Sequence, residues 1–225
     1  MIREHEGEPV PGLPERLPGG ETVLWQGAPR WRSLARRAFH VRVVALYFAA
    51  LAVWSGASLV ADGAGAGALA LEALWVALVG SVPIGLLLAA SVLAARTTLY
   101  TVTDRRLVLR VGIALPMAVN IPLGAVRSAG LRRCADGTGD VLLSLLPSHR
   151  VSFIALWPHV RAWRFSEPEP LLRGLPDAEK AAQALATALA ASAAAAEPVQ
   201  AAPAPSPAPE RPRPTVDVPA QAAAA

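Results

Sequence analysis

Two long apolar runs interrupt an otherwise mixed pattern of hydrophobic and polar positions. The first, VVALYFAALAVWSGASLVA from Val43 to Ala61, contains no charged residue. The second, from Leu69 to Ala95, carries one charge, Glu72, close to its start. About 19 residues at a helical rise of about 1.5 Å reach about 29 Å, the thickness of a bilayer's hydrocarbon core. Between them DGAGAG, residues 62–67, is glycine-rich and turns a chain more readily than it continues a helix. The pattern predicts a transmembrane hairpin over 43–95, with spans at 43–61 and 69–95. Small residues recur along both runs, including Ala45, Ala49, Ala52, Gly56, Gly80, Ser81, Gly85 and Ala89. Such faces pack helices closely, whether on each other, on a second copy as a homodimer, or on a client's spans. Pro83 is expected to kink the second helix.

After Ala95 the texture changes to short segments rich in Val, Leu, Ile and Thr. Residues 97–104, 105–112, 118–131, 140–147 and 150–156 are each of strand character, separated by Asp-Arg, Gly, Pro or the DGTGD turn. Arg106–Val126 is a poor third span, because Arg110, Pro116, Asn120 and Pro122 interrupt it. PEPLLRGLP then reads as a connection, and Asp177–Ala196 as a helix with Asp177 at its N-cap. Residues 97–192 therefore form a small α+β domain, an antiparallel sheet or barrel closed by one C-terminal helix. Ahead of the hairpin, 1–18 is a proline-punctuated flexible arm, and 19–42 is a juxtamembrane segment with a short strand near Thr22–Gln26. The Ala/Pro-rich tail, 197–225, is expected to be disordered.

Charge fixes the expected orientation. Arg30, Arg32, Arg36, Arg37 and Arg42 precede the first span, and Arg96, Arg105, Arg106 and Arg110 follow the second, whereas the loop between holds Asp62. By the positive-inside rule both termini are cytoplasmic, in an inner or intracytoplasmic membrane. Trp31, Arg32, Arg36, Arg37, Arg105 and Arg106 are the candidate membrane-surface residues, with membrane lipids as partners. The composition, 53% hydrophobic and 17% charged, agrees with a membrane protein. The net charge of +4 does not argue for nucleic acid, since the arginines flank the apolar runs. Cys134 is the single cysteine, which rules out an intramolecular disulfide. The polar first 30 residues do not read as a signal peptide.

Catalytic signatures are missing: there is no phosphate-binding GxxxxGK[ST], no HExxH and no GxSxG. His5, His40, His149 and His159 lack metal-ligand spacing. The reading is non-enzymatic, with no catalytic, cofactor or metal residues. The stretch most suited to a partner is WPHVRAWR, with Trp157, His159, Arg161, Trp163 and Arg164, residue types enriched at binding hot spots. The competing reading makes the two tryptophans caps of the sheet's core and leaves the arginines to water or headgroups.

These residues also carry a resemblance. E-x-x-L-W-Q-G, two spans, YTVTDRRL at 100–107, IPL at 121–123, GTGD at 137–140 and a final helix resemble the bacterial pleckstrin-homology-like domain built on a membrane hairpin. VPGLPERLPGGETVLWQG, AFHVRVVALYFAAL and LWPHVRAWRFSEPEPLLRGLPDA further resemble the PuhB-like photosynthetic complex assembly proteins of purple phototrophic bacteria. The likeness covers roughly residues 9–190. It departs at Ala162, where the family pattern has proline. It implies a non-enzymatic factor assisting assembly of the photosynthetic reaction centre and core light-harvesting complex. Its partners would be reaction-centre subunits or other photosynthetic assembly factors. In that setting His40, or less readily His159, is a candidate transient ligand to bacteriochlorophyll, although His40 beside arginines also reads as a plain surface imidazole. The alternative function is a generic lipid-headgroup-binding or regulatory membrane module.

Overall fold

The computed structural model describes residues 17–113, 116–149, 151–161 and 167–196. The arm expected at 1–18 falls almost wholly outside these residues, and the tail at 197–225 entirely so.

The hairpin consists of α2 (Val41–Ala61) and α3 (Ala66–Thr97), following a short helix α1 (Trp31–Arg37). Both long helices have the length and hydropathy needed to cross a membrane. Gly63, with φ +75°, turns the chain between them, and the Ala64 N–H bonds the Leu59 carbonyl. The helices pack where Gly80 meets the Phe48 ring; a Cβ at Gly80 would lie 2.9 Å from Phe48 Cγ. α3 continues as a helix through Pro83. At about 1.5 Å per residue α3 is about 48 Å long and α2 about 31 Å, so the last turns of α3 overreach the start of α2. That overhang is covered by α1: Leu34 and Phe39 pack on Ala94, with Leu87 and Ala90 beside them.

The rest of the chain forms two antiparallel sheets. One has the order β1-β2-β3-β4, from β1 (Val23–Gly27), β2 (Leu99–Thr103), β3 (Arg106–Val111) and β4 (Met117–Pro122). The other has the order β5-β6-β7, from β5 (Val126–Arg133), β6 (Gly139–Leu145) and β7 (Leu171–Leu175). A short helix, α4 (Phe153–Leu156), lies between β6 and β7, and α5 (Ala178–Ala196) closes the domain. Tyr100, Val102, Leu107 and Leu109 from the first sheet meet Val141, Leu143, Leu172 and Leu175 from the second, over Ala181, Leu185 and Ala188 of α5. This is the expected α+β arrangement of a sheet with one C-terminal helix behind a two-helix hairpin.

Three local expectations are corrected. Of the strand expected at 150–156, the described residues 151–156 form none; Ser152 there caps α4 by accepting the Ala155 N–H at 3.4 Å. The connection expected in PEPLLRGLP contains β7, buried along its length and paired to β6. The segment at 19–42 contains the short strand expected near Thr22–Gln26, as β1, but this strand pairs antiparallel to β2 and is followed by α1, so the segment belongs to the sheet domain as much as to the hairpin.

Candidate functional site

The candidate site is the junction where α1 and the overhang of α3 meet the second sheet. Gly174 has φ +66° and faces α1 so closely that a Cβ there would lie 2.8 Å from Ser33 Oγ. Its carbonyl accepts the Arg30 N–H at 2.9 Å, which fixes the start of α1 to β7. The neighbouring Arg173 is buried, and its guanidinium donates to the Arg37 carbonyl at 3.3 Å and the Val160 carbonyl at 3.2 Å. It thereby clamps the end of α1 and the loop before β7 to one strand.

Asp140 holds the other side of α1. It is 0% exposed. Its Oδ1 accepts the Gly174 N–H at 2.7 Å, and its Oδ2 accepts Arg37 at 3.0 Å and Arg132 at 2.5 Å. A carboxylate so deeply buried persists only with such partners. Arg37 also donates to Ser33 Oγ, to Thr138 Oγ1 and to Cys134 Sγ. Asp136 accepts the Thr138 hydroxyl at 2.6 Å, and this hydrogen bond holds its carboxyl below the usual carboxylate range.

His159 closes a third, smaller network. It is 1% exposed. Nδ1 lies 2.6 Å from the Tyr100 hydroxyl and Nε2 2.9 Å from Thr98 Oγ1. The Tyr100 oxygen also accepts the Arg173 backbone N–H at 3.3 Å. Burial pushes the imidazole pKa down to about 3, with the Arg173 charge adding to the effect, so the ring is neutral near pH 7. Burial likewise pushes the Tyr100 phenol above its ordinary value.

The proposed sites divide accordingly. Trp31, Arg32 and Arg36 are exposed on α1, where Arg32 lies over the Trp31 ring at 5.4 Å. Arg37 is a correction: it turns inward, drawn by Asp140, and is no free membrane-surface residue. Arg106 is another, because Glu21 holds it in two bonds of 2.9 and 3.1 Å. Arg105 is exposed next to it, at the opposite end of β2 from the residue that α3 delivers. In the stretch offered to a partner, His159 is corrected to a buried structural residue. Arg161 pairs with Glu169 at 2.9 Å, and Trp157 is exposed with its ring edge-on to Phe39 at 5.4 Å. Trp163 and Arg164 lie outside the described residues. His159 also has both nitrogens engaged, which leaves none for a pigment metal. His40 is exposed in the left-handed conformation, its Nδ1 3.0 Å from the Ala38 carbonyl oxygen. Among the described residues no group of His, Cys, Asp or Glu is arranged to hold a metal ion.

The sequence reading did not single out Asp140, Arg173 or Tyr100. Tyr100 and Asp140 stand within the motifs YTVTDRRL and GTGD, and Arg173 had a signal of its own: an arginine set among leucines in LLRGL must, if that run is a buried strand, find carbonyl or carboxylate partners.

Comparison with known proteins fits this architecture. The Bacterial PH domain family model matches residues 39–189, from the end of α1 through most of α5. A Rhodobacter capsulatus protein described as an uncharacterized 23.7 kDa protein in the puhA 5′ region is 37% identical over 180 residues, covering 80% of this chain and 84% of that protein. No solved structure matches the chain significantly. With two apolar helices leading into the sheet domain, the chain belongs to the Bacterial PH domain family and is related to the protein of the R. capsulatus puhA 5′ region.

Proposed function

We propose that the chain is a non-enzymatic, membrane-anchored factor that assists assembly of the photosynthetic reaction centre and core light-harvesting complex of a purple phototrophic bacterium. The observation that carries this reading is the 37% identity, over most of both chains, to a protein named for its place in the puhA 5′ region. The architecture supports it. A hairpin of two apolar helices is joined without a flexible linker to a sheet domain whose buried polar groups tie α1 to the strands. Such a rigid unit presents one face to the bilayer and the other to the cytoplasm, where reaction-centre subunits or other assembly factors would be met. Both termini are cytoplasmic in this proposal, since the exposed arginines lie at the α1 and α3 ends and Asp62 lies in the loop.

The test is deletion of the coding region in its phototrophic host. Phototrophic growth and the yield of reaction centre and core antenna fall, while respiratory growth is unchanged. A second reading, a generic lipid-headgroup-binding or regulatory module, is favoured by the exposed Arg32, Arg36, Arg42 and Arg96 around the membrane end of the domain. It predicts envelope defects under respiratory growth as well, and that outcome would displace the assembly role.

A further inference from the structure

The short helix α4 and the residue that caps its end present two large apolar side chains to their surroundings. Ile154 is 86% exposed and Trp157, three residues on, is 52% exposed. Residues three apart neighbour one another on a helical turn, so the two form one small surface. Single exposed apolar residues are ordinary, but the position of this pair is not. The Trp157 ring meets Phe39 edge-to-face at 5.4 Å and 81°. Phe39 precedes by two residues the start of α2 and is itself packed on Ala94 of α3. Through Phe39 the pair therefore sits beside the entry of α2, whose Val43, Leu46 and Tyr47 are exposed. From Val151 to Arg161 there is no acidic residue, and the cation that ends the stretch, Arg161, is paired with Glu169.

We propose that α4 and Trp157 form a third membrane contact, seated in the headgroup-to-acyl boundary beside the entry of α2, with lipid as the occupant. The indole suits that depth, having an apolar body and one N–H to offer to water or headgroup oxygens. Ile154 enters the acyl edge. Phe39 transmits the contact to the hairpin, so the sheet domain rests on the bilayer at α4 as well as through α1 and α3 and has a fixed tilt. This inference rests on the reading of α2 and α3 as membrane spans.

The test uses the full chain, reconstituted alone in phosphatidylglycerol/phosphatidylcholine vesicles. In a Cys134→Ser background, spin labels are placed at Ile154→Cys, at Leu51→Cys midway along α2, and at Thr187→Cys on the exposed side of α5. Collision rates with oxygen and with a water-soluble nickel chelate report depth. The Ile154 label is expected to be several-fold less accessible to nickel than the Thr187 label, at a depth between it and the Leu51 label. If the Ile154 label is as nickel-accessible as Thr187 while Leu51 reads mid-bilayer, the third contact is wrong and the spans stand. A nickel-accessible Leu51 label overturns the spans and the contact together. Shielding of Ile154 that appears only in native membranes, and not in pure lipid, assigns the surface to a protein and also overturns the proposal.

Discussion

Gly174 and Ser33 approach so closely that a methyl group on Gly174 would sit 2.8 Å from the serine Oγ and 2.9 Å from its Cβ. The backbone at Gly174 is also left-handed, φ +66°, a conformation that costs any other residue about 1 kcal/mol or more. Through this contact α1 lies against β7, and through α1 the hairpin is held to the sheet. Gly174→Ala is therefore expected to destabilise the domain by about 2–4 kcal/mol, combining strain and overpacking. Thermal unfolding in detergent, followed by circular dichroism, checks it. Adding Ser33→Gly should restore part of the loss, by relieving the steric share and leaving the backbone share.

Asp140 organises the same junction electrostatically. Asp140→Ala removes the acceptor for Arg37, Arg132 and the Gly174 N–H at once. The expected loss is about 3–5 kcal/mol, the usual range for breaking a buried ion pair. Asp140→Asn keeps an oxygen for the Gly174 N–H and should cost less. A double-mutant cycle with Arg132→Ala measures the charged share, and additivity of the two changes would show that the pair contributes nothing.

His159 makes stability depend on pH in a direction that follows from its environment. Its pKa in the fold is depressed to about 3, whereas the unfolded chain titrates near the ordinary 6.5. Between those values the unfolded state binds more protons, so stability rises with pH and is lost as pH falls below about 6.5. The contribution is fully present above about pH 6.5 and is gone near pH 3. The slope is about 1.4 kcal/mol per pH unit inside that window. His159→Gln retains a donor and an acceptor for Thr98 and Tyr100 without a titrating ring. Urea unfolding at a series of pH values should show the slope reduced by one proton in that variant.

How far these features could be read from the chain depends on whether their cause is local. The two long apolar helices were legible because apolarity over 43–61 and 69–95 needs no knowledge of the fold. Strands β2 and β3 were legible for the same reason, as alternating runs divided by the Asp104–Arg105 turn. Arg36 and Arg37, by contrast, are adjacent and chemically identical. One faces outward and the other meets an aspartate 103 residues away, a distinction made only by the rotation of α1. His159 looked like part of an exposed binding stretch, yet its ring partners lie 59 and 61 residues earlier in the chain. β7 was hidden because a buried arginine breaks the apolar pattern of the strand. Long-range pairing of polar groups is invisible to periodicity, and the junction consists of such pairings.

The arrangement of charge leads to a final expectation about topology. Exposed Arg32, Arg36, Arg42 and Arg96 lie at one end of the hairpin, where α1 and the overhang of α3 meet the sheet domain. At the other end the turn holds Asp62 and Gly63 and no basic residue. Moving four cations across a membrane would be strongly unfavourable, and the turn has little to hold it on either side. Alkaline phosphatase inserted after Ala64 should therefore be active, and a cytoplasm-only fluorescent reporter at the same position dark. Replacing Arg32, Arg36, Arg42 and Arg96 with glutamine, while adding three lysines at 64–66, should convert a fraction of the chains to the inverted orientation. An unchanged phosphatase signal after that exchange would mean that the folded sheet domain, rather than the arginines, sets the orientation.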